Sequence, residues 1–285
     1  MSDASEGQSP QNHTFRLVVE YNGRDFEGWQ IQAGERAART IQGVLTEAVE
    51  SVTGYPAKVR GAGRTDAGVH AFGQVASVRV TTAMSAAALA RALNGRLPQD
   101  VAICTSDEVP EDWDALRAAR HKHYRYQIWN GARRSPLRAD RFLWLRDSLS
   151  VERMREAARC FVGKHDFASM AAAGSSVKTT IRTVTDLRVS GQPGDEILID
   201  VEGGGFLRHM VRNLTGTLIE IGRGRWEVDR AAAILASRDR GEAGPTAPAR
   251  GLALISVQDD WLSSQQNSPK SISRGSSVDE SSPVG

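Results

Sequence analysis

The sequence predicts an α+β fold: two mixed α/β subdomains sharing a largely antiparallel sheet flanked by helices, with a basic cleft between them. Three observations carry this expectation. β-rich runs such as "TFRLVVEY" and "VAICTSDEV" are mingled with helical apolar stripes in both halves, without the strict alternation of a doubly wound parallel sheet. "IRTVTDLRVS" and "EILIDVEG" flank the turn residues "GQPGD" at 191–195, which is a hairpin pattern. Nine Arg and Lys between residues 117 and 146 face a single acid, Asp140, just past residue 110, where the subdomains would meet.

Taken in order, residues 1–13 are polar and read as a disordered tail. A strand covers 14–21. A helix over roughly 40–53 places Ile41, Val44, Leu45, Ala48, Val49 and Val52 on one stripe. "KVRGAG" leads out of a strand, and "GQVASVRV" at 73–80 alternates as the next one. Ser85 caps a helix running to about Leu93, stopped by Gly95 and Pro98. Residues 101–109 return as a strand, completing an N-terminal subdomain over 14–110.

The second subdomain, 111–262, opens with the strand "HYRYQIWN", which turns at Asn130-Gly131. Ser150 caps a helix whose Met154, Ala157, Ala158 and Phe161 face the core. After the hairpin a longer helix starts beyond Gly203, Gly204 and Gly205, with Leu207, Val211, Leu214, Leu218 and Ile221 as its buried stripe. A helix near 227–237 and the strand "LALISVQ" close the fold. Residues 263–285 are a Ser-rich tail with no apolar periodicity.

With 285 residues, 40% hydrophobic and 25% charged, the composition is that of an ordinary globular protein. No apolar run approaches the ~20 residues of a membrane-spanning helix. The N-terminus is unlike a secretory signal. Cys104 and Cys160 stand far apart, so the expectation is a reducing cytoplasm, with both thiols acting as small buried hydrophobes. The formal charge of +2 understates the middle of the chain, because the acids of residues 1–13 offset it. Tyr124, Tyr126 and Trp129 interleave with the cations of 117–146. Aromatics stack on bases while Arg and Lys hold phosphates, so nucleic acid is the leading partner. No His/Cys/Asp cluster has metal spacing and no phosphate-binding loop motif occurs, so neither metal nor nucleotide cofactor is expected.

Three motifs could carry chemistry. "GAGRTDAGVHAFGQV" (61–75) is a glycine-rich connection between strands, presenting Arg64 and Asp66. It could be a tight turn with a surface ion pair. A dinucleotide loop is disfavoured, since Asp66 stands at the third glycine of that motif and would repel a pyrophosphate. A presented nucleophile is the third reading: an arginine two residues from a carboxylate keeps it ionised. A glycosidase would want a second carboxylate about 5–9 Å away, and none is marked by a motif. In "KHYRYQIW", Tyr124 and Tyr126 share one strand face, either as core or as a platform for a flipped base. In "GGGFLRHMVRNLTG", Arg208 and Arg212 stand four apart, on one helical face suited to phosphates. His209 is more often a packed histidine than a catalyst. A non-catalytic RNA-binding module and a carbohydrate-active enzyme both stay open on these grounds.

Together these motifs resemble the bacterial tRNA pseudouridine synthase A family. "GAGRTDAGVHAFGQV" is similar to its signature loop, "HYRY" and "FLRHMVRN" to later motifs, and "VEYNGRDFEGWQ" and "ARGLALISV" to its first and last strands. The resemblance covers about residues 14–260 in the family's order. One departure stands out: the family's "F-x-A-R" is Trp113-Asp114-Ala115-Leu116 here, with Arg117 next door. The resemblance implies isomerisation of uridine to pseudouridine at tRNA positions 38, 39 and 40, without a cofactor, by a homodimer. It implies Asp66 as nucleophile and Arg64 as the residue that holds it and fills the space left by the extruded nucleotide. Tyr124 would stack on the flipped uracil, and Arg208 and Arg212 would meet RNA phosphates. His70 and Arg182 join them as substrate-binding candidates, although His70 equally suits a loop-fixing role.

Overall fold

In the computed structural model, which describes residues 9–32, 38–174 and 177–267, strands β1 (Gln11–Tyr21), β2 (Lys58–Gly61), β3 (His70–Thr82) and β4 (Val101–Val109) form the first half of a mixed sheet. Helix α1 (Ile41–Thr53) is capped by the Thr40 hydroxyl on Gly43 N–H and ends on Gly54 in the left-handed conformation. Helix α2 (Ala86–Arg96), capped by Ser85, continues through Gly95 and stops at Leu97, whose backbone the following Pro98 pushes out of the helical region. α1 packs on α2 and β2, and α2 packs on β4.

The second half contains α3 (Ala115–Ala118), β5 (Ala119–Trp129), the short β6 (Leu143–Trp144), α4 (Val151–Ala158), β7 (Gly163–Asp166), β8 (Ile181–Gly191), β9 (Glu196–Gly203), α5 (Met210–Gly222) and α6 (Arg230–Ser237). β10 (Leu252–Asp259) and α7 (Asp260–Asn267) end the described chain. Among the described residues ten strands form one sheet, ordered β4-β1-β3-β10-β5-β9-β8-β7, with β2 on β3 and β6 on β5. The pairing is antiparallel except for β10 with β3 and β5 with β6.

β10 is the seam. Its Ala253 and Leu254 lie opposite His70 and Ala71 on one side, and opposite Arg125 and Tyr124 on the other. The end of the chain therefore sets the start of β3 beside the tyrosine strand.

Several expectations shift. Gln11–His13, placed in a disordered tail, extend β1: they pair with Val80–Thr82, Thr81 Oγ1 donates to Asn12 Oδ1 at 2.7 Å, and His13 meets Glu108 at 2.6 Å. Polar cross-strand pairs build this end, which an apolar pattern does not register. The expected C-terminal tail begins late too, since Ser263–Asn267 continue α7, whose first turn Asp259 caps through Leu262 N–H. Ser9 and Pro10 are irregular and exposed, and residues 1–8 and 268–285 of the two tails lie outside the described residues. Cys104 is exposed rather than buried, on the outward side of edge strand β4, and Cys160 is half-buried. α5 begins at Met210 and α6 at Arg230, each later than the periodicity indicated.

Two halves so joined are also tied by a charge. Arg16, 2% exposed on β1, donates to Asp259 Oδ2 at 2.9 Å and to Asp107 Oδ2 at 3.0 Å; Asp259 is fully buried. Removing one partner of a buried pair leaves the other charge uncompensated. Arg16→Met is expected to lower stability by about 3–5 kcal/mol in guanidinium denaturation. Adding Asp259→Leu to that variant is expected to restore part of the loss, because the stranded carboxylate goes with it.

Candidate active site

The loop between β2 and β3 is held on several sides. Ala62 N–H donates to Val75 O at 2.7 Å, Gln74 Nε2 to Gly63 O at 3.0 Å, and Trp29 N–H to Thr65 O at 3.1 Å. Thr65 Oγ1 meets the buried Tyr21 hydroxyl at 2.8 Å, and burial pushes that phenol's pKa up to about 12. The glycines serve two different needs. Gly68 takes the left-handed conformation, φ 76°, in the turn after Asp66. Gly61 instead makes room, since a Cβ there would lie 2.5 Å from the Trp29 ring.

Val69 N–H closes that turn on Asp66 O at 3.1 Å, and the carboxylate faces α5. Arg212 Nη1 donates to Asp66 Oδ2 at 3.2 Å. This guanidinium is itself fixed, because its Nε donates to Ala247 O at 2.7 Å while Ala247 N–H donates to Arg212 O at 3.1 Å. Asn213, next in the helix, gathers Arg240, Thr246 and the Met170 carbonyl around the start of α5. His209 precedes the helix with φ 63°, a strained conformation for a residue other than glycine, and its Nε2 stands 3.5 Å from Asp66 Oδ2. Burial lowers the His209 pKa, and Arg212, Arg208 and Arg240 push the same way, against the attraction of Asp66.

Tyr124 stands on β5 across the seam. It is 8% exposed and packs edge-on against Phe206, with ring centroids 5.3 Å apart. Burial, reinforced by Tyr21 and Asp66, pushes its phenol well above the usual range. Asp66, Arg64, Tyr124, Arg208, His209 and Arg212 line one cleft of about 1280 Å³. That exceeds the roughly 300–1,000 Å³ of a small-molecule site, so the cleft can take a nucleotide with its flanking strand.

The sequence-predicted residues divide accordingly. Arg64 does not hold Asp66: the turn sends the carboxylate toward α5 and leaves Arg64 exposed at the mouth. Arg208 and Arg212 do not share a helical face, because α5 starts after Arg208, which is exposed in the preceding turn. His70 is buried beneath the loop, where Gly23 N–H donates to its Nδ1 at 3.2 Å and its Nε2 lies 3.1 Å from Arg250 O. Arg182 turns back on the carbonyls of Thr179 and Ile181, away from the cleft. Tyr126 is core, its hydroxyl donating to Pro248 O at 2.8 Å, and Trp129 is covered by Arg138. Leu116 lines the cleft. Arg117 does not replace it, being engaged with Asp112 O and Asp114.

Comparison with known proteins decides the family. The model of a family described as tRNA pseudouridine synthase matches residues 17–116 and 157–258. The chain belongs to the tRNA pseudouridine synthase family. It is 45% identical to the tRNA pseudouridine synthase A of Myxococcus xanthus over 242 residues, 85% of this chain and 90% of that one. It is 41% identical to the protein of that name from Geotalea uraniireducens (strain Rf4) over 242 residues, 85% of this chain and 98% of the relative. The two segments that bring Asp66 and Arg212 together, the glycine-rich connection and the start of α5, fall within the matched residues. A pseudouridine synthase is an isomerase, so the readings as a non-catalytic RNA-binding module or a carbohydrate-active enzyme fall away.

The electrostatics of the cleft are open to titration. In an NMR titration the His209 ring is expected to ionise below the ordinary histidine range. Asp66→Asn is expected to lower it further, because the carboxylate is the group that opposes the surrounding arginines. An unchanged value in that variant would place the ring away from Asp66.

Proposed function

We propose that this chain converts uridine to pseudouridine at positions 38, 39 and 40 of the tRNA anticodon arm, with Asp66 as nucleophile and no cofactor. The observation that carries the reading is the meeting of Asp66, compensated by Arg212, with Tyr124 in one cleft large enough for a flipped nucleotide. A uridine drawn out of the stack costs a few kcal/mol, which contacts in such a pocket offset.

The reaction is an isomerisation within one nucleotide. The N1–C1′ bond breaks with its electron pair going to the uracil, the ring turns, and C5 bonds to C1′. The C5 proton then leaves and N1 gains one, so atoms and charge balance without a second reactant. Asp66 acts at C1′, at C6, or as the base of an elimination at the sugar. The fixed guanidinium of Arg212 holds the carboxylate in place in each case, which is preorganisation rather than substrate binding. Tyr124 offers its ring face to the uracil. Because burial opposes the phenolate, its hydroxyl enters as a proton-carrying group that can relay between C5 and N1. Arg64 and Arg208, exposed at the mouth, suit the RNA backbone. A homodimer would let one subunit hold the tRNA body while the other's cleft receives the target loop.

Asp66→Asn is expected to abolish tritium release from tRNA labelled at uridine C5 while leaving tRNA affinity nearly intact. Full turnover by this variant would sink the nucleophile assignment. Tyr124→Phe keeps the ring and loses the hydroxyl, and its single-turnover rate is expected to fall by about 10²–10⁴-fold, the range of a lost proton transfer. A rate equal to the parent's would confine Tyr124 to stacking.

A further inference from the structure

Lys122 is a cation of the cleft that the reaction above leaves unused. It stands on β5 two residues before Tyr124, so its side chain leaves the sheet on the tyrosine's face. Its Nζ donates to Ala62 O at 3.0 Å, at the base of the Asp66 loop. The approach is close: a Cβ on Gly63 would lie 2.6 Å from Nζ.

A backbone carbonyl needs a donor, not a charge. Lys122 brings three N–H donors and a full positive charge, and among the described residues only Ala62 O takes one of them. Among the described residues no carboxylate compensates it, and burial alone lowers its pKa. An ammonium left without a counter-charge in a half-buried place is costly, and an arriving anion offsets that cost. The neighbouring cations are otherwise engaged or lie further out. Arg212 is committed to Asp66, Arg60 to Asp114 at 3.0 Å, and Arg64 and Arg208 are exposed.

The anion can be named by its chemistry. In a strand of RNA the full negative charges are the phosphodiesters, whereas a uracil or ribose oxygen would be served by a neutral donor. We propose that Lys122 binds a phosphodiester oxygen of the RNA strand inside the cleft, next to the nucleotide presented to Asp66. This rests on the reading of the cleft as the site of a tRNA uridine. One ammonium would then tie the substrate backbone to the base of the catalytic loop, with a second N–H still on Ala62 O.

The test is equilibrium binding of a synthetic anticodon-arm RNA over a range of KCl concentrations, with pseudouridine formation measured alongside. It compares the parent with Lys122→Met, Lys122→Gln and Lys122→Arg. Met and Gln are expected to weaken binding about tenfold and to reduce the slope of log K against log salt by about 0.7–0.9, the share of one phosphate contact. Arg is expected to stay near the parent. Gln keeps an N–H for Ala62 O, so a residue that merely fixes the loop would leave Gln at the parent's affinity and slope, and that result overturns the proposal. If Met does not fold, Gln alone decides in the same way. A parent that modifies the RNA, with Gln unchanged in slope, removes the Lys122 assignment and spares the enzyme reading. A parent that neither binds nor modifies it removes both.

Discussion

The contact between Asp66 and Arg212 joins residues 146 positions apart, and much of the fold exists to let it form. Asp66 is delivered by a loop pinned to β3, Trp29 and Tyr21. Arg212 is delivered by a helix buried along nearly its whole length. Within Met210–Gly222, Arg212 alone escapes full burial, so α5 is a core element whose first turn reaches into the cleft. Clamping the guanidinium on Ala247 removes much of the side-chain freedom that would otherwise be lost on pairing. The carboxylate thus meets a cation already in position.

That meeting depends on β10. A strand from the end of the chain separates β3 from β5, parallel to one and antiparallel to the other. Its register sets the start of β3, where the Asp66 loop ends, level with Tyr124. Neither half could place both groups alone, and the turn before β10 adds its own supports: Pro248 O receives the Tyr126 hydroxyl and Ala247 O receives Arg212. The connections are of long range, so their loop-closure entropy must be met by burial elsewhere in the sheet. The Arg16–Asp259 pair ends the same seam and leaves little tolerance for sliding, since a shift of one residue would turn the buried carboxylate to the opposite face.

What could be read in advance follows the range of the interaction. Apolar periodicity and local caps are short-range, and α1, α2, α4, β4 and the β8–β9 hairpin stand close to where they were expected. Polar strand ends such as Gln11–His13 depend on partners far away in sequence, Val80–Thr82, and no local pattern marks them. The site divides the same way. Asp66 and Tyr124 are legible because a glycine-rich loop and a basic tyrosine strand each announce themselves within a few residues. Arg212 as the partner of Asp66 is not, because Arg64 is nearer in sequence and only the turn closed by Val69 separates it from the carboxylate. His209 breaks the helix it was expected to belong to, and its positive φ is rare enough outside glycine that the flanking helical pattern hides it.

Charge counting met a similar limit. The run of cations over 117–146 read as a single basic surface, yet Arg125 is paired with Asp200, Arg138 with Glu196 and Arg120 with Asp260. An ion pair at a sheet surface contributes little field at the distance of a ligand, whereas a lone cation in a low-dielectric cleft contributes much. The electrostatic character of the site therefore rests on few groups. Arg212 balances Asp66, and Lys122 has no counter-charge among the described residues, while Leu116 adds no charge to the same wall. Under the proposed reading, an anion would arrive beside a carboxylate that already has its counter-charge in Arg212, at an ammonium with no paired carboxylate among the described residues.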